Sequence, residues 1–490
     1  MAPLSQVPAA PWGAEAVPAV HDRARRIPFP APRRLSAPLA LLAVVSAMGC
    51  ASYVDRMAPV KAELRRHNVQ AALARLDARF EGHDDDLVYL MERGLLLRHA
   101  GRLQESNVTF ERAEQRAEDL YTKSVSQNVA SLLTSDAILP YEGEDFERVL
   151  INYYRALNYL DLGQVEGALV ECRKVQRKLQ FYEEFHDGDK KYRTDPFVHY
   201  LMGLIQESAG EMNDAYISFK KAVEGFQEND GVLGVSIPPS LADDLLTVTT
   251  RLSFQDDHQE LQRRFPAARL RAPPPPGSGE AVVLVEVGFV PAKTELDLSI
   301  PILESERNES SVTLTGKLRD RAHERRSWRD VHYWLKMALP GYPPGIVPFW
   351  SSVEVEGAKA TLVENLDMVA RASLEDRMPR VLLKTIARAL AKYLATTKSE
   401  DAVAKRHGDS AGSAVGAILN LAALATEQAD LRAWLGLPRE IYLVRLRLQA
   451  GSQDLAVRLR DRAGGIAAQG TVPVTIIEGR VNFISHRFFL

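Results

Sequence analysis

The chain has 490 residues, too many for a single core, so two or three domains are expected. Hydrophobic residues make up 46% and charged residues 26%, which excludes an intrinsically disordered chain. A net charge of −3 argues against nucleic acid as a partner. The two cysteines, Cys50 and Cys172, exclude a disulfide framework, and without a CxxC or Cys/His cluster they suggest no metal site.

Residues 1–49 read as a removable export signal. Arg23, Arg25, Arg26, Arg33 and Arg34 form a basic region. Leu39 to Val45 form an apolar run, and Ser46, Ala47 and Gly49 lead to a cleavage point. The run falls short of the roughly 20 residues that a spanning helix needs; an uncleaved anchor or a buried helix is the alternative. "AMGC", residues 47–50, resembles the lipobox of bacterial lipoproteins, with Ala47 where leucine is usual. That resemblance implies cleavage behind Gly49 and a lipid on Cys50. Ala51, rather than Asp, after the cysteine implies delivery to the outer membrane of a Gram-negative cell. Buried acyl chains hold such a protein by about 0.8 kcal/mol per methylene.

Residues 50–268 carry a helical repeat. "LMERGLLLRHAGRLQESNVTFERA", "NYYRALNYLDLGQVEGALVECRKV" and "HYLMGLIQESAGEMNDAYISFKKA" share one spacing. A small residue (Gly94, Ala156, Gly203) stands seven before a glycine (Gly101, Gly163, Gly210). Small residues follow at Ser106, Ala168 and Ala215, and larger ones at Phe110, Cys172 and Phe219. The spacing resembles the tetratricopeptide repeat (TPR), in which small residues let two antiparallel helices approach and the glycine ends the first. Residues 68–80 supply a preceding helix, and residues 241–265 cap the stack. Asn128, Tyr141, Tyr154 and Asn158 are candidate contacts for a protein or peptide on the concave face. Packing between repeats is the competing explanation. Cys172, at a seam position, is expected to be a buried small hydrophobe.

"RAPPPPGSGE", within residues 269–280, reads as a Pro/Gly-rich linker rather than a recognition motif. Residues 281–490 then form a mixed domain, so the fold class is α+β: a TPR-like solenoid followed by an α+β domain. "EAVVLVEVGFV" is a continuous apolar run expected as a buried strand; "TELDLSIPI", "WSSVEVEG" and "AKATLVENL" follow as strands. A helix is expected over 378–397. The Ala/Gly-rich residues 411–426 suit a buried helix better than a membrane hairpin. "IYLVRLRLQ", "QDLAVRLRD", "TVPVTIIEG" and "RVNFISHRFF" end the chain as strands.

Two motifs could carry chemistry. "GDSAG", residues 408–412, matches the G-x-S-x-G of esterases around Ser410. The elbow needs a buried strand before the serine, and "KSEDAVAKRH" is polar, so a serine hydrolase is the disfavoured alternative and no enzyme is expected. Arg445 and Arg447 share one strand face, as do Arg458 and Arg460. If their strands pair, the four guanidinium groups could meet an anionic envelope component; a solvated face with local acidic partners is the alternative. No Walker A, Rossmann fingerprint or HExxH is present, so no cofactor is expected.

Taken with the blocks "NVASLLTSDAILPYEGEDFERVLINYYRALNYLDLG", "EAVVLVEVGFVPAK", "MALPGYP" and "EQADLRAWLGLPREIYLVRLRL", the chain resembles a family of largely uncharacterised bacterial TPR lipoproteins of the outer membrane. The resemblance implies a lipid-anchored, periplasm-facing scaffold with an envelope protein or peptide as partner, near the cell-wall or secretion machinery. A purely structural envelope protein is the remaining alternative.

Overall fold

The computed structural model describes residues 52–126, 139–185, 195–303, 331–408 and 427–490, with isolated positions between 413 and 419. Cys50, Ala51, Asn128, Ser410 and the signal region lie outside them.

Successive helices pair as antiparallel hairpins: α1 (Tyr53–Arg65) with α2 (Val69–Arg79), α3 (Leu87–His99) with α4 (Leu103–Ser126), and α5 (Asp145–Asp161) with α6 (Val165–Phe185). α7 (Pro196–Ser208) pairs with α8 (Met212–Glu228), and α9 (Pro239–Arg251) with α10 (Gln255–Arg264). The three repeats expected from the spacing are the middle hairpins. Each turns at its glycine, with φ of +72° at Gly101, +71° at Gly163 and +84° at Gly210. The same bonding closes each first helix: Gly101 N–H donates to Arg98 O, and Arg102 N–H reaches back to Leu97 O, both at 2.9 Å. A left-handed residue is needed there to turn the last N–H groups onto unsatisfied carbonyls, which is why glycine recurs.

The small residues do what the repeat requires. A Cβ on Gly94 would lie 2.6 Å from the Phe110 ring, and one on Gly203 would lie 2.3 Å from Phe219. The middle repeat makes the same seam from Ala156 and the smaller Cys172, both buried. Burial pushes the Cys172 thiol up to about 12, which leaves it an unreactive packing group.

The second half is a seven-stranded sheet in the order β8-β7-β4-β5-β6-β1-β9, curled into a nearly closed barrel. Its strands are β1 (Ser278–Val287), β4 (Trp350–Val355), β5 (Ala358–Asn365), β6 (Glu440–Gln449), β7 (Gly451–Asp461), β8 (Ile466–Ile476) and β9 (Val481–Phe488). β1 pairs parallel with β9, and the other pairings are antiparallel. The end strands come back together, since a Cβ on Gly470 of β8 would meet the His486 ring of β9 at 2.6 Å. A two-stranded ribbon of β2 (Thr294–Leu303) and β3 (Val331–Gly341) packs on α11 (Leu366–His407) through Ile302, Leu335, Met337, Leu390 and Tyr393. The helix expected over 378–397 is the middle of this longer one.

β1 explains why its sequence does not alternate. Val283, Val285 and Val287 point into the barrel, while Val282 and Leu284 join the core of the helical half. A strand buried on both faces reads as one apolar run. The linker expected over 269–280 is pinned rather than free. β1 already begins at Ser278, and Arg271 bonds Glu207, Asp244 and Glu280 at 2.6, 2.7 and 3.1 Å. One apolar core joins the helices to the outer face of the barrel strands, the barrel interior and the β2–β3 ribbon having cores of their own; the described residues from Ser52 on belong to one compact unit.

Candidate partner-binding surface

In a helical-repeat stack the first helix of each pair lines the concave face, where peptides would be sought. Here α3, α5 and α7 are buried over most of their lengths. Two things cover them. One is the outer face of β5, β6, β1 and β9, through Val363, Ile441, Leu443, Val282, Leu284 and Phe483. The other is the segment leading into β6, residues 427–439.

This segment is held as a bound peptide would be. Trp434 is fully buried, its ring centroid 5.8 Å from Phe110 and 5.7 Å from Tyr154. Its backbone N–H donates to Glu147 Oε1 at 2.7 Å. Two residues on, Gly436 N–H donates to both oxygens of Glu92 at 3.1 Å. A Cβ on Gly436 would sit 2.4 Å from Glu92 Oε2, so glycine alone fits beneath that carboxylate. Leu435 and Leu437 fill the space on either side. Carboxylates on the first helices thus grip the N–H groups of Trp434 and Gly436 on either side of Leu435, in a turn that Leu437 N–H closes on Trp434 O at 3.3 Å.

The acids carry the electrostatic cost. Burial pushes the Glu92 carboxyl up to about 7, although Tyr53 Oη, donating at 2.8 Å, and Gly436 N–H pull it back. Glu147 is raised by burial and by the negative charge of Glu144. Burial would raise Glu144 too, but Arg377 and Lys293 outweigh it and hold that carboxylate below its usual range. Lys293 Nζ lies 2.7 Å from Glu144 and also donates to Arg432 O at 3.2 Å, tying the segment to the helices.

The residues singled out in sequence fall differently from expectation. Tyr141 is buried, its hydroxyl donating to Glu147 Oε2 at 2.6 Å. Tyr154 lies under Trp434. Asn158 is buried, accepting from Arg98 at 2.7 Å and donating to Ser106 and Asn107 at 2.9 Å. None of the three faces an open groove: Tyr154 and Tyr141 are covered by Trp434 and Arg432 of the second half, and Asn158 is held by packing between repeats, the competing explanation; Asn128 lies outside the described residues. The arginines do not share a surface either, since β6 and β7 are separated by β5 and β4. Arg445 is buried against Glu207, Asp244 and Glu280 at 3.0, 3.2 and 2.6 Å. Arg447 donates to Ala272 O, Arg458 is half-buried, and Arg460 pairs with Glu354 at 2.7 Å.

The residues that matter most were passed over. Glu92 is the one acid in the apolar run "LVYLMERGLLL", and an acid on an apolar helix face needs a donor. "AWLGLP" is apolar without helix or strand period. Both were visible signals, but their pairing was not.

An open surface remains on the outer side. Between α4 and α6 lies a groove of about 510 Å³. Glu111, Glu118, Arg177 and Lys178 line it with Tyr121 and Phe181.

No protein-family model and no curated protein matches the chain. Among solved structures, MamA from Desulfovibrio magneticus RS-1 is 16% identical, covering 42% of this chain and 87% of its own, with a TM-score of 0.27. YrrB, described as a TPR protein with an unusual peptide-binding site, is 12% identical over 46% of this chain and 89% of its own, TM-score 0.28. The apo form of RapI is 13% identical over 46% of this chain and 57% of its own, TM-score 0.32. At these scores the likenesses say nothing about function. The chain's own geometry defines its class: a TPR-like solenoid whose concave face is closed by a β-rich C-terminal domain.

Proposed function

We propose that the chain is a non-catalytic, lipid-anchored scaffold of a bacterial outer membrane, periplasm-facing, which holds an envelope protein or peptide partner. Helical hairpins stacked on TPR spacing support the binding class. With the concave face closed, the partner docks on the outer groove between α4 and α6. The observation that carries this is the mixed lining of that groove, where aromatic rings lie between acidic and basic side chains. Cys50 and Ala51 support the anchor and its destination.

A photo-crosslinking residue at Arg177 or Glu118, in cells that make the protein, tests the docking site. One recurrent adduct from these positions, absent from a crosslinker on the barrel at Asp454, is the expected outcome. Adducts from Asp454 alone would move the partner to the barrel. Intact-mass measurement of the membrane-extracted protein tests the lipid on Cys50.

A further inference from the structure

The loop between β3 and β4 presents an unusual surface. In "YPPGIVPFW", residues 342–350, Ile346 is 74% exposed, Val347 65% and Phe349 54%. Three large apolar side chains within four positions face solvent. The loop is nevertheless held. Pro343, Pro344 and Pro348 restrict its backbone and carry no N–H. Arg371 donates to Pro343 O at 2.8 Å, and Arg439 donates to Ile346 O at 2.6 Å. Both guanidinium groups share one carboxylate, Asp367, at 2.6 and 2.7 Å. The loop therefore rests on a base of two positive charges and one negative.

This chemistry suits a lipid interface. Missing N–H groups and occupied carbonyls lower the cost of taking backbone out of water. A bilayer presents phosphate and ester oxygens, which complement a net positive base. A protein partner would need an interface of roughly 1,000 Å² or more, far beyond what three side chains cover, whereas a membrane contact needs only a few apolar groups beside another attachment. The lipid proposed at Cys50 would be that other attachment.

We infer that residues 346–349 form a membrane-contact loop, inserting Ile346, Val347 and Phe349 into the lipid interface and fixing the orientation of the protein on the bilayer. The choice of lipid as partner rests on the anchor proposed at Cys50, but the contact itself is tested without it. In the full chain carrying Cys50→Ser, Val347→Cys is labelled with an environment-sensitive fluorophore; Cys172 is buried and does not compete. The sample is mixed with vesicles of phosphatidylcholine, with and without phosphatidylglycerol. Emission at 347 shifts to the blue on both, more strongly on the anionic ones, while a label at Asp454→Cys, on an exposed stretch of β7, does not shift. With Ile346→Ser or Phe349→Ser added, the lipid concentration giving half the shift rises roughly tenfold for each side chain removed. A label at 347 that stays water-like at saturating lipid overturns the proposal, as does a half-point unmoved by the serine variants. A blue shift in a protein whose native form carries no lipid on Cys50 would sink the anchor and leave the loop standing.

Discussion

Trp434 and Tyr154 meet edge to face, ring centroids 5.7 Å apart at 60°, although one opens the final strands of the barrel and the other sits in the second repeat. The contact lies in the apolar core that the two halves share. A TPR solenoid ordinarily keeps its concave face for a partner; this one closes that face with its own chain.

The first prediction follows from that closure. Trp434→Ala removes a fully buried indole from the centre of the shared core and costs about 3–5 kcal/mol. Because helices and strands share this core, denaturant unfolding followed by helix and by strand signals should stay a single transition, shifted as a whole. Two separated transitions in the wild type would show that the halves fold independently. Trp434→Phe is milder, within roughly 1.5 kcal/mol, since the indole Nε1 has no hydrogen-bond partner among the described residues.

Glu92 makes stability depend on pH. Its carboxyl is raised from 4.5 to about 7 by burial in the folded chain. Below 4.5 it is protonated in both states, and its contribution is fully present. As pH rises toward 7 the unfolded chain ionises first, so that contribution is lost, amounting to roughly 3 kcal/mol. Other buried acids titrate too, so the readout is the difference between wild type and Glu92→Gln. Chemical denaturation from pH 4 to 8 should show wild type losing stability relative to the variant across this window. Parallel curves would show that Glu92 titrates normally.

Local features were legible in the sequence, and long-range ones were not. The three glycine turns were readable because a left-handed residue is a local demand that glycine meets at each repeat. β1 was readable as a strand because burial on both faces leaves an unbroken apolar run. α11 was legible only over its middle, residues 378–397, although it runs from Leu366 to His407 with Pro379 inside it; Pro379 and Glu375, the residue four before it, are both exposed. The pairing of Glu92 with Gly436 had no local trace. Nor did the burial of Arg445, whose alternation on β6 looks the same whether acids or water cover it.

The position of Arg445 changes what its mutation reports. Arg445→Met leaves Glu207, Asp244 and Glu280 with less compensation at the join between helices and barrel. Removing one partner from a buried cluster costs about 3–5 kcal/mol. Arg460→Ala, which loses one partly exposed pair with Glu354, costs under about 1 kcal/mol. Urea midpoints of the two variants check this. Equal, small losses would show that Arg445 is solvated after all.

The seam between paired helices gives a test of the repeat itself. In Gly203→Ala the new methyl meets the Phe219 ring at 2.3 Å, so ring or helix must move, at a cost of about 1–3 kcal/mol. The middle repeat already shows the compensated arrangement, with Ala156 on one helix and Cys172 on the other. Shrinking the partner should therefore offset the insertion. Phe219→Leu leaves a cavity when made alone, yet combined with Gly203→Ala it gives room for the methyl. The double variant should be more stable than the sum of the singles by about 1 kcal/mol or more, measured by denaturant unfolding in a double-mutant cycle. Strict additivity would mean that the glycine is present for backbone reasons rather than for the close approach of α7 and α8.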